Sequence, residues 1–342
     1  MPLQLRYSTL VGARTDDDTT SLNGTRESSM QRRRFGLYAL IGLSGLAGLP
    51  VLAAPPGKRK QVVAFAQDTM ANDWRAAQVR DLREALAAHP EIEFVFSDAR
   101  GDTARQVQDI ENFASQGVDV LITSPRDAEL MREPIARIHR RGIPVILLSR
   151  RVNGEEFTHF VTADNRAIAR QAAQYLAKRL NGKGNILMLQ HIPSTTPGQL
   201  RTEGFLEELK KYPGLKVVAI KQADSQRALA IQKIEEALAE KLPFDAIYAQ
   251  SDSMAMGAIL ALKMAGRDPK HTPITGIDYI SEARTAIRNG ELAASFTYPT
   301  FGREGAEAAI TLLRGGKPAA REVVVKSIAV SRDNVERVEP IF

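Results

Sequence analysis

The stretch from Val118 to Leu148, VDVLITSPRDAELMREPIARIHRRGIPVILL, decides the architecture. Val118 to Thr123 is a short apolar run fit for a buried strand, and Ala128 to Arg140 carries apolar residues at helical spacing. Gly142-Ile143-Pro144 then introduces a second apolar run, Val145 to Leu148. A strand, a helix and a strand apolar throughout form a parallel unit covered on both faces.

Working outward, the same unit repeats. Upstream, strands are expected at Val62 to Ala66 and Ile92 to Phe96. Helices are expected at Trp74 to Ala88 and Asp102 to Ser115, with Gly117 as a helix-end residue. Downstream the pattern restarts with helices at Ala167 to Leu180, Arg201 to Tyr212, Ser225 to Glu240, Met254 to Ala265 and Ser281 to Asn289. Their strands are Gly184 to Leu189, Lys216 to Ile220, Ala246 to Ala249, Ile274 to Ile277 and Ala293 to Thr297. A helix from Phe301 to Leu313 and a strand from Val323 to Ile328 follow the completed second unit and are expected to return to the first. The fold class is therefore α/β, two similar doubly wound parallel-sheet lobes in tandem. The expected boundaries are 58–162 plus 299–327 for the N-terminal lobe and 163–298 plus 328–342 for the C-terminal lobe.

The N-terminus stands apart. Residues 1–29 are polar and without hydrophobic period, and read as a disordered extension or a mis-assigned start, with Met30 the alternative initiator. Residues 30–54 have a basic head (Arg32-Arg33-Arg34), an apolar middle and small residues ending at Ala53-Ala54, the layout of a secretory signal peptide. Arg-Arg-x-Phe resembles a twin-arginine export signal, with Gln31 where Ser or Thr is usual. A retained anchor is the alternative, since the run is about long enough to span a bilayer. Cleavage would leave a mature chain of net charge +4 out of +6 for all 342 residues.

Composition removes several classes of function. Apolar residues are 44% and charged residues 25%, which excludes collagen, wholesale disorder and a multi-span membrane protein. The charge is modest and no basic run interleaves with aromatics, so nucleic acid is not an expected partner. With no cysteine, thiol catalysis, iron–sulfur clusters and disulfides are excluded. The five histidines (His89, His139, His159, His191, His271) lack ligand spacing and read as surface or loop residues. No phosphate loop, dinucleotide fingerprint or nucleophile elbow is present. No catalytic constellation emerges; no enzyme activity, cofactor or metal is expected.

In open parallel sheets ligands bind outside the carboxyl ends of the strands. Those ends read Asn72-Asp73-Trp74-Arg75, Ser124-Pro125, Ser149-Arg150-Arg151, Ser251-Asp252 and Asp278-Tyr279. The single tryptophan, Trp74, opens a helix beside Arg75, a combination suited to a polyhydroxylated ring: an apolar face on indole, hydroxyls on guanidinium and carboxylate.

Several stretches stand at characteristic separations: Asp109-Ile110-Glu111 with Gln116-Gly117-Val118-Asp119; Gly142-Ile143-Pro144-Val145; Thr162-Ala163-Asp164-Asn165; Arg201-Thr202-Glu203-Gly204-Phe205; Ser251 through Ala258; and Gly276-Ile277-Asp278. In this order they are similar to the type I periplasmic sugar-binding proteins of ABC transporters, the ribose- and galactofuranose-binding group. The resemblance runs from about Gln61 to Val330, and Trp74-Arg75-Ala76-Ala77 is nearer the galactofuranose branch. It implies a periplasmic, monomeric protein whose lobes, joined by a three-crossover hinge, close on a sugar. The closed form would be presented to ABC permease subunits, or to a chemoreceptor or sensor kinase. A repressor effector domain shares the fold but needs an N-terminal helix-turn-helix, where an export signal stands instead.

The resemblance also implies roles. Trp74 would stack on the sugar and Arg75 bond it, with Arg150 from the first lobe and Arg201 from the second. Asp278 would accept hydroxyl protons. Asn72, Asp73, Ser124, Ser149, Ser251 and Tyr298 complete the expected site. Asp164 and Asn165 are expected at the hinge, and Asp252 as the cap of a helix starting at Met254. Three departures stand out: Ser149 where the family usually has an acid, Ser251 where it has Asn, and Tyr298 where the ribose branch has Gln. Loss of an acid beside retained arginines predicts a more positive cleft and an anionic or modified carbohydrate, with an uncharged furanose as the alternative.

Overall fold

The computed structural model describes residues 59–342, so the expected extension at 1–29 and signal peptide at 30–54 lie outside the described residues. The chain opens with β1 (Gln61–Gln67), α1 (Asp73–Ala87), β2 (Ile92–Asp98), α2 (Thr103–Ser115), β3 (Val120–Thr123), α3 (Arg132–Arg140), β4 (Val145–Leu148) and β5 (His159–Ala163). It continues with α4 (Asn165–Arg179), β6 (Lys183–Gln190), α5 (Thr196–Leu209), β7 (Gly214–Gln222), α6 (Arg227–Ala239), β8 (Ala246–Ala249) and α7 (Asp252–Met264). Next come β9 (Ile274–Thr275), α8 (Ser281–Asn289), β10 (Ala294–Phe296), α9 (Gly302–Leu313), β11 (Glu322–Val325) and β12 (Ala329–Ser331).

Two six-stranded sheets result, ordered β11-β5-β4-β3-β1-β2 and β12-β10-β9-β8-β6-β7. Every pairing is parallel except β10 with β12. All four residues of β3, of β4 and of β8 are buried, because helices cover both faces; hence their uninterrupted apolar sequences. The α/β architecture of two doubly wound lobes is as the periodicity predicts. The chain passes between the sheets three times: from β5 to α4, from β10 to α9, which packs on α1, and from β11 to β12. One apolar cluster includes residues of both sheets, among them Phe65, Trp74, Ile186, Tyr248 and Tyr298, so the lobes share a core on one side of the molecule.

Three local expectations are corrected. β5 has no counterpart in the sequence reading, because residues 149–158 connect it to β4 without a helix and the alternation of strand and helix skips a beat. The strand expected over Val323 to Ile328 ends at Val325 as β11, and β12, in the other sheet, begins only at Ala329. Between them the third crossover is pinned to the second, Ile328 N donating to Thr297 Oγ1 at 2.8 Å and Thr297 N to Ile328 O at 2.9 Å. Finally, α5 begins at Thr196, capped by Thr195, which moves Arg201 from the expected helix start into the second turn.

Candidate ligand site between the lobes

The carboxyl ends of both sheets face one narrow cleft lined by groups of both lobes. The first lobe contributes Asn72, Trp74, Arg75 and Ser149, and the second His191, Arg201, Ser225, Ser251, Ser253 and Asp278; Tyr298 comes from the second crossover. Local structure aims these groups. Asn72 is the N-cap of α1, its side chain accepting from Arg75 N at 2.9 Å, so the helix starts with Trp74 and Arg75 turned inward. The same side chain donates to Ser225 O of the other lobe at 3.3 Å. Ser251 caps α7 in the same manner.

The floor is aromatic. The Trp74 ring lies 5.8 Å from Tyr298, which meets Phe301 edge-on at 5.1 Å, and the indole N–H donates to Tyr298 O at 3.0 Å. Guanidinium groups cover these rings from two sides, Arg75 at 4.8 Å over Trp74 and Arg201 at 4.6 Å over Tyr298. Both contacts fit the attraction of a cation to a π face. The Tyr298 hydroxyl pairs with Ser149 Oγ at 3.1 Å and receives Asn165 Nδ2 at 3.4 Å. Asn165, just after the first crossover, also accepts from Arg201 Nε at 2.8 Å, while Asp164 caps α4. The cleft and two of the three crossovers therefore share hydrogen bonds.

Behind the wall lies a charge cluster centred on Asp68, which follows β1 and is fully buried. Arg150 donates to its carboxylate at 2.7 Å, Arg75 stands 3.4 Å away and Arg126 3.7 Å. Burial pushes the Asp68 carboxyl up, but the guanidinium groups, Arg150 foremost, outweigh that and hold it below the ordinary carboxylate range. Burial and the neighbouring Arg150 pull Arg75 down to about 9, which leaves it charged at neutral pH. Arg75 also donates to Gln78 and to Ser124, fixing its direction.

The second lobe carries carboxyls of the opposite tendency. Burial, reinforced by Asp252, pushes Asp278 well above the ordinary value. Burial raises Asp252 to about 6 against the pull of Ser295 and of the Tyr279 and Ile280 amides. Those amides donate to Asp252 at 2.6 and 3.1 Å. The expected helix cap is thus corrected: Ser251 caps α7, and Asp252 holds the chain after Asp278.

Of the other expected site residues, three are not part of the cleft wall. Asp73 is exposed and pairs with Arg227 of the second lobe at 3.5 Å. Ser124 lies beneath Arg75, bonded to Leu148 O. Arg150 is buried between Asp68 and His191. Asp68, just after β1, supplies Arg150 with the carboxylate absent at position 149, so Arg150 adds no unpaired charge to the cleft wall. Sequence reasoning missed Asp68, His191, Ser225 and Ser253. Asp68, His191 and Ser225 stand within three residues of the ends of β1, β6 and β7, so the strand-end rule, applied to every strand, would have found them. His191 is buried, not at the surface. Among the described residues no group of three or more His, Asp or Glu could hold a metal.

Known proteins share this fold. Residues 63–317 match the model of the periplasmic binding protein domain. A xylitol-binding protein of Mycolicibacterium smegmatis is 32% identical over 72% of this chain and 70% of its own length. A galactofuranose-binding protein of Escherichia coli is 29% identical over 76% and 82%. Among solved structures, the fructose-binding periplasmic domain of a hybrid two-component system superposes with a TM-score of 0.76 at 30% identity, covering 81% of this chain and 92% of that one. With two parallel-sheet lobes, three crossovers and a polar cleft between the strand ends, the chain belongs to the periplasmic binding protein family, type I.

Proposed function

We propose that this protein is the solute-binding component of a carbohydrate ABC importer, exported to the periplasm, where it captures an uncharged monosaccharide or related polyol by hinge closure. The observation that carries the reading is the composition of the cleft wall: an aromatic floor, with buried donors and acceptors drawn from both lobes. A ligand stabilises the closed state only through contacts that the open state lacks, and groups on facing lobes provide them. Trp74 and Tyr298 offer apolar faces, Arg75 and Arg201 offer forked donors, and Asp278 accepts hydroxyl protons. Arg150 is engaged by Asp68, which favours a neutral ligand. The ligands named for the three relatives above are uncharged as well.

A second reading has one specific observation behind it. A similar solved structure is the periplasmic domain of a hybrid two-component system, which supports presentation of the ligand to a sensor kinase or chemoreceptor as the alternative.

The test is thermal unfolding of the chain from residue 58 onward against pentoses, hexoses, polyols, sugar acids and sugar phosphates. A ligand at a hundred times its dissociation constant adds about 2.7 kcal/mol, with compaction visible by small-angle scattering. A shift confined to related neutral compounds supports the reading; preference for the acids or phosphates overturns the neutral assignment. No shift with any of them overturns carbohydrate capture.

A further inference from the structure

Arg150 has hydrogen-bond partners in both lobes: Asp68 in its own and His191 in the other, the latter at 3.3 Å from Nη2 to Nε2. A guanidinium only donates, so Nε2 must be unprotonated. The single ring proton of a neutral imidazole then sits on Nδ1, facing Ser225 Oγ at 2.9 Å. The backbone of His191 is fixed as well, its N–H donating to Gln250 Oε1 at 2.9 Å. Placed in this way the imidazole is 5% exposed.

We propose that His191 is a positioning residue of the closed cleft, accepting a hydrogen bond from Arg150 across the lobe boundary as a neutral imidazole, so that closure over ligand requires His191 to be deprotonated. The proposal rests on the solute-binding reading above. Four guanidinium groups act on the ring through their charge: Arg150 after β4, which alone is hydrogen-bonded to it, Arg201 on α5, Arg75 on α1 and Arg126 after β3. The carboxyls around it are Asp68 after β1, bound to Arg150; Asp278 after β9; and Asp224 next to Ser225, near Arg126. Burial and then the four cations hold His191 well below the ordinary histidine range. In an open cleft the ring meets water and returns toward the ordinary histidine range. Where the open ring is protonated, capture strips a proton, and affinity falls about tenfold per unit of pH. Asp278, raised in the closed cleft, contributes a slope of opposite sign, so the histidine is read from the difference between the natural chain and a variant.

Binding of xylitol, D-fructose and D-galactose is measured calorimetrically from pH 5 to 8 for the natural chain, His191→Gln and His191→Ala. Gln places an acceptor near the Nε2 position and does not titrate. The expected result is affinity within about threefold for His191→Gln at pH 7.5 with the acid limb flattened, and a loss of about tenfold for His191→Ala at every pH. An unchanged acid limb in His191→Gln, or natural affinity in His191→Ala at pH 7.5, overturns the proposal. Nitrogen-15 spectra of the chain saturated with a bound compound test it separately: there His191 stays neutral, protonated on Nδ1, down to pH 5, and titration in the ordinary histidine range overturns the proposal. If none of the three compounds binds, the ligand reading fails by itself; a crystal structure of the closed chain in which Arg150 does not reach His191 Nε2 then overturns the positioning role.

Discussion

Asp68→Asn removes the single carboxylate that Arg150, Arg75 and Arg126 share. Asp68 is fully buried and the two nearer arginines are 3% exposed or less, so water does not replace the lost countercharge. Breaking a buried ion pair by deleting one partner costs about 3–5 kcal/mol, most of it from the charge left behind. For a chain of this size roughly 2 °C accompanies each kcal/mol, so the midpoint should fall by about 6–10 °C at pH 7.5. The pH dependence has a definite sign. The Asp68 carboxyl lies below its ordinary value in the folded chain. Its contribution is therefore complete above the unfolded value near about pH 4 and lost as pH falls through the folded one. The deficit of Asp68→Asn should be full at neutral pH and shrink only in acid. Circular dichroism melts of both chains between pH 3 and 8 measure it. The double variant Asp68→Asn/Arg150→Met should recover part of the loss, since it also removes the nearest cation left buried without a partner. A midpoint within 2 °C of the natural chain, or no recovery on adding Arg150→Met, would falsify the view that Asp68 neutralises this cluster.

Three further outcomes are expected. Arg201→Ala removes bonds to Asn165 and Gln250 and the contact over Tyr298; hydrogen bonds to charged groups contribute about 1.5–3 kcal/mol, so titration should show ligand affinity down at least about tenfold, with compaction in scattering lost; unchanged compaction contradicts the role given to Arg201. Asn72→Ala loses the α1 cap and the bridge to Ser225 O, and denaturant unfolding should register about 1 kcal/mol. Gly276→Ala would place a Cβ 2.0 Å from Asp252 Oδ1, and a melt should show a loss of about 1–3 kcal/mol from overpacking; full stability would mean that Asp252 is free to move.

What was legible in the sequence follows from what is local. Strands buried on both faces announce themselves as apolar runs, and β4 and β8 stand at the predicted residues. A connection without a helix hides the next strand, as at β5. The cleft was legible as far as strand ends could be placed: Trp74, Arg75 and Ser149 come together with Arg201, Ser251 and Asp278, although 52 residues separate Ser149 from Arg201. Arg150 and His191 show the limit. Histidines judged by their spacing from one another look idle, whereas His191 meets an arginine 41 residues away. Its bonding depends on two lobes meeting, which no period of 2 or 3.6 encodes.

The same division explains where the backbone departs from ordinary conformations. Ser149, Asp278, Tyr279 and Phe301 all have positive φ, at 67°, 130°, 64° and 60°, and none is the glycine that such angles favour. All four lie at a strand end or a crossover, and strain of this kind persists only where the surroundings over-determine it. Here the surroundings are identifiable. Ser149 N donates to Val161 O at 2.7 Å, and its hydroxyl meets Tyr298. Asp278 is held between Phe296 O and Tyr298 N, while Tyr279 N is captured by Asp252. Asp252 in turn fits only because Gly276 leaves room for its carboxylate. Gly276, Asp252 and Ser295 therefore act on the cleft without lining it, by fixing the backbone from which Asp278 projects. A buried carboxyl raised to about 6 is a cost to the fold at neutral pH, where it must be ionised. Its position is better explained by the direction it imposes on Asp278 than by any stability it adds.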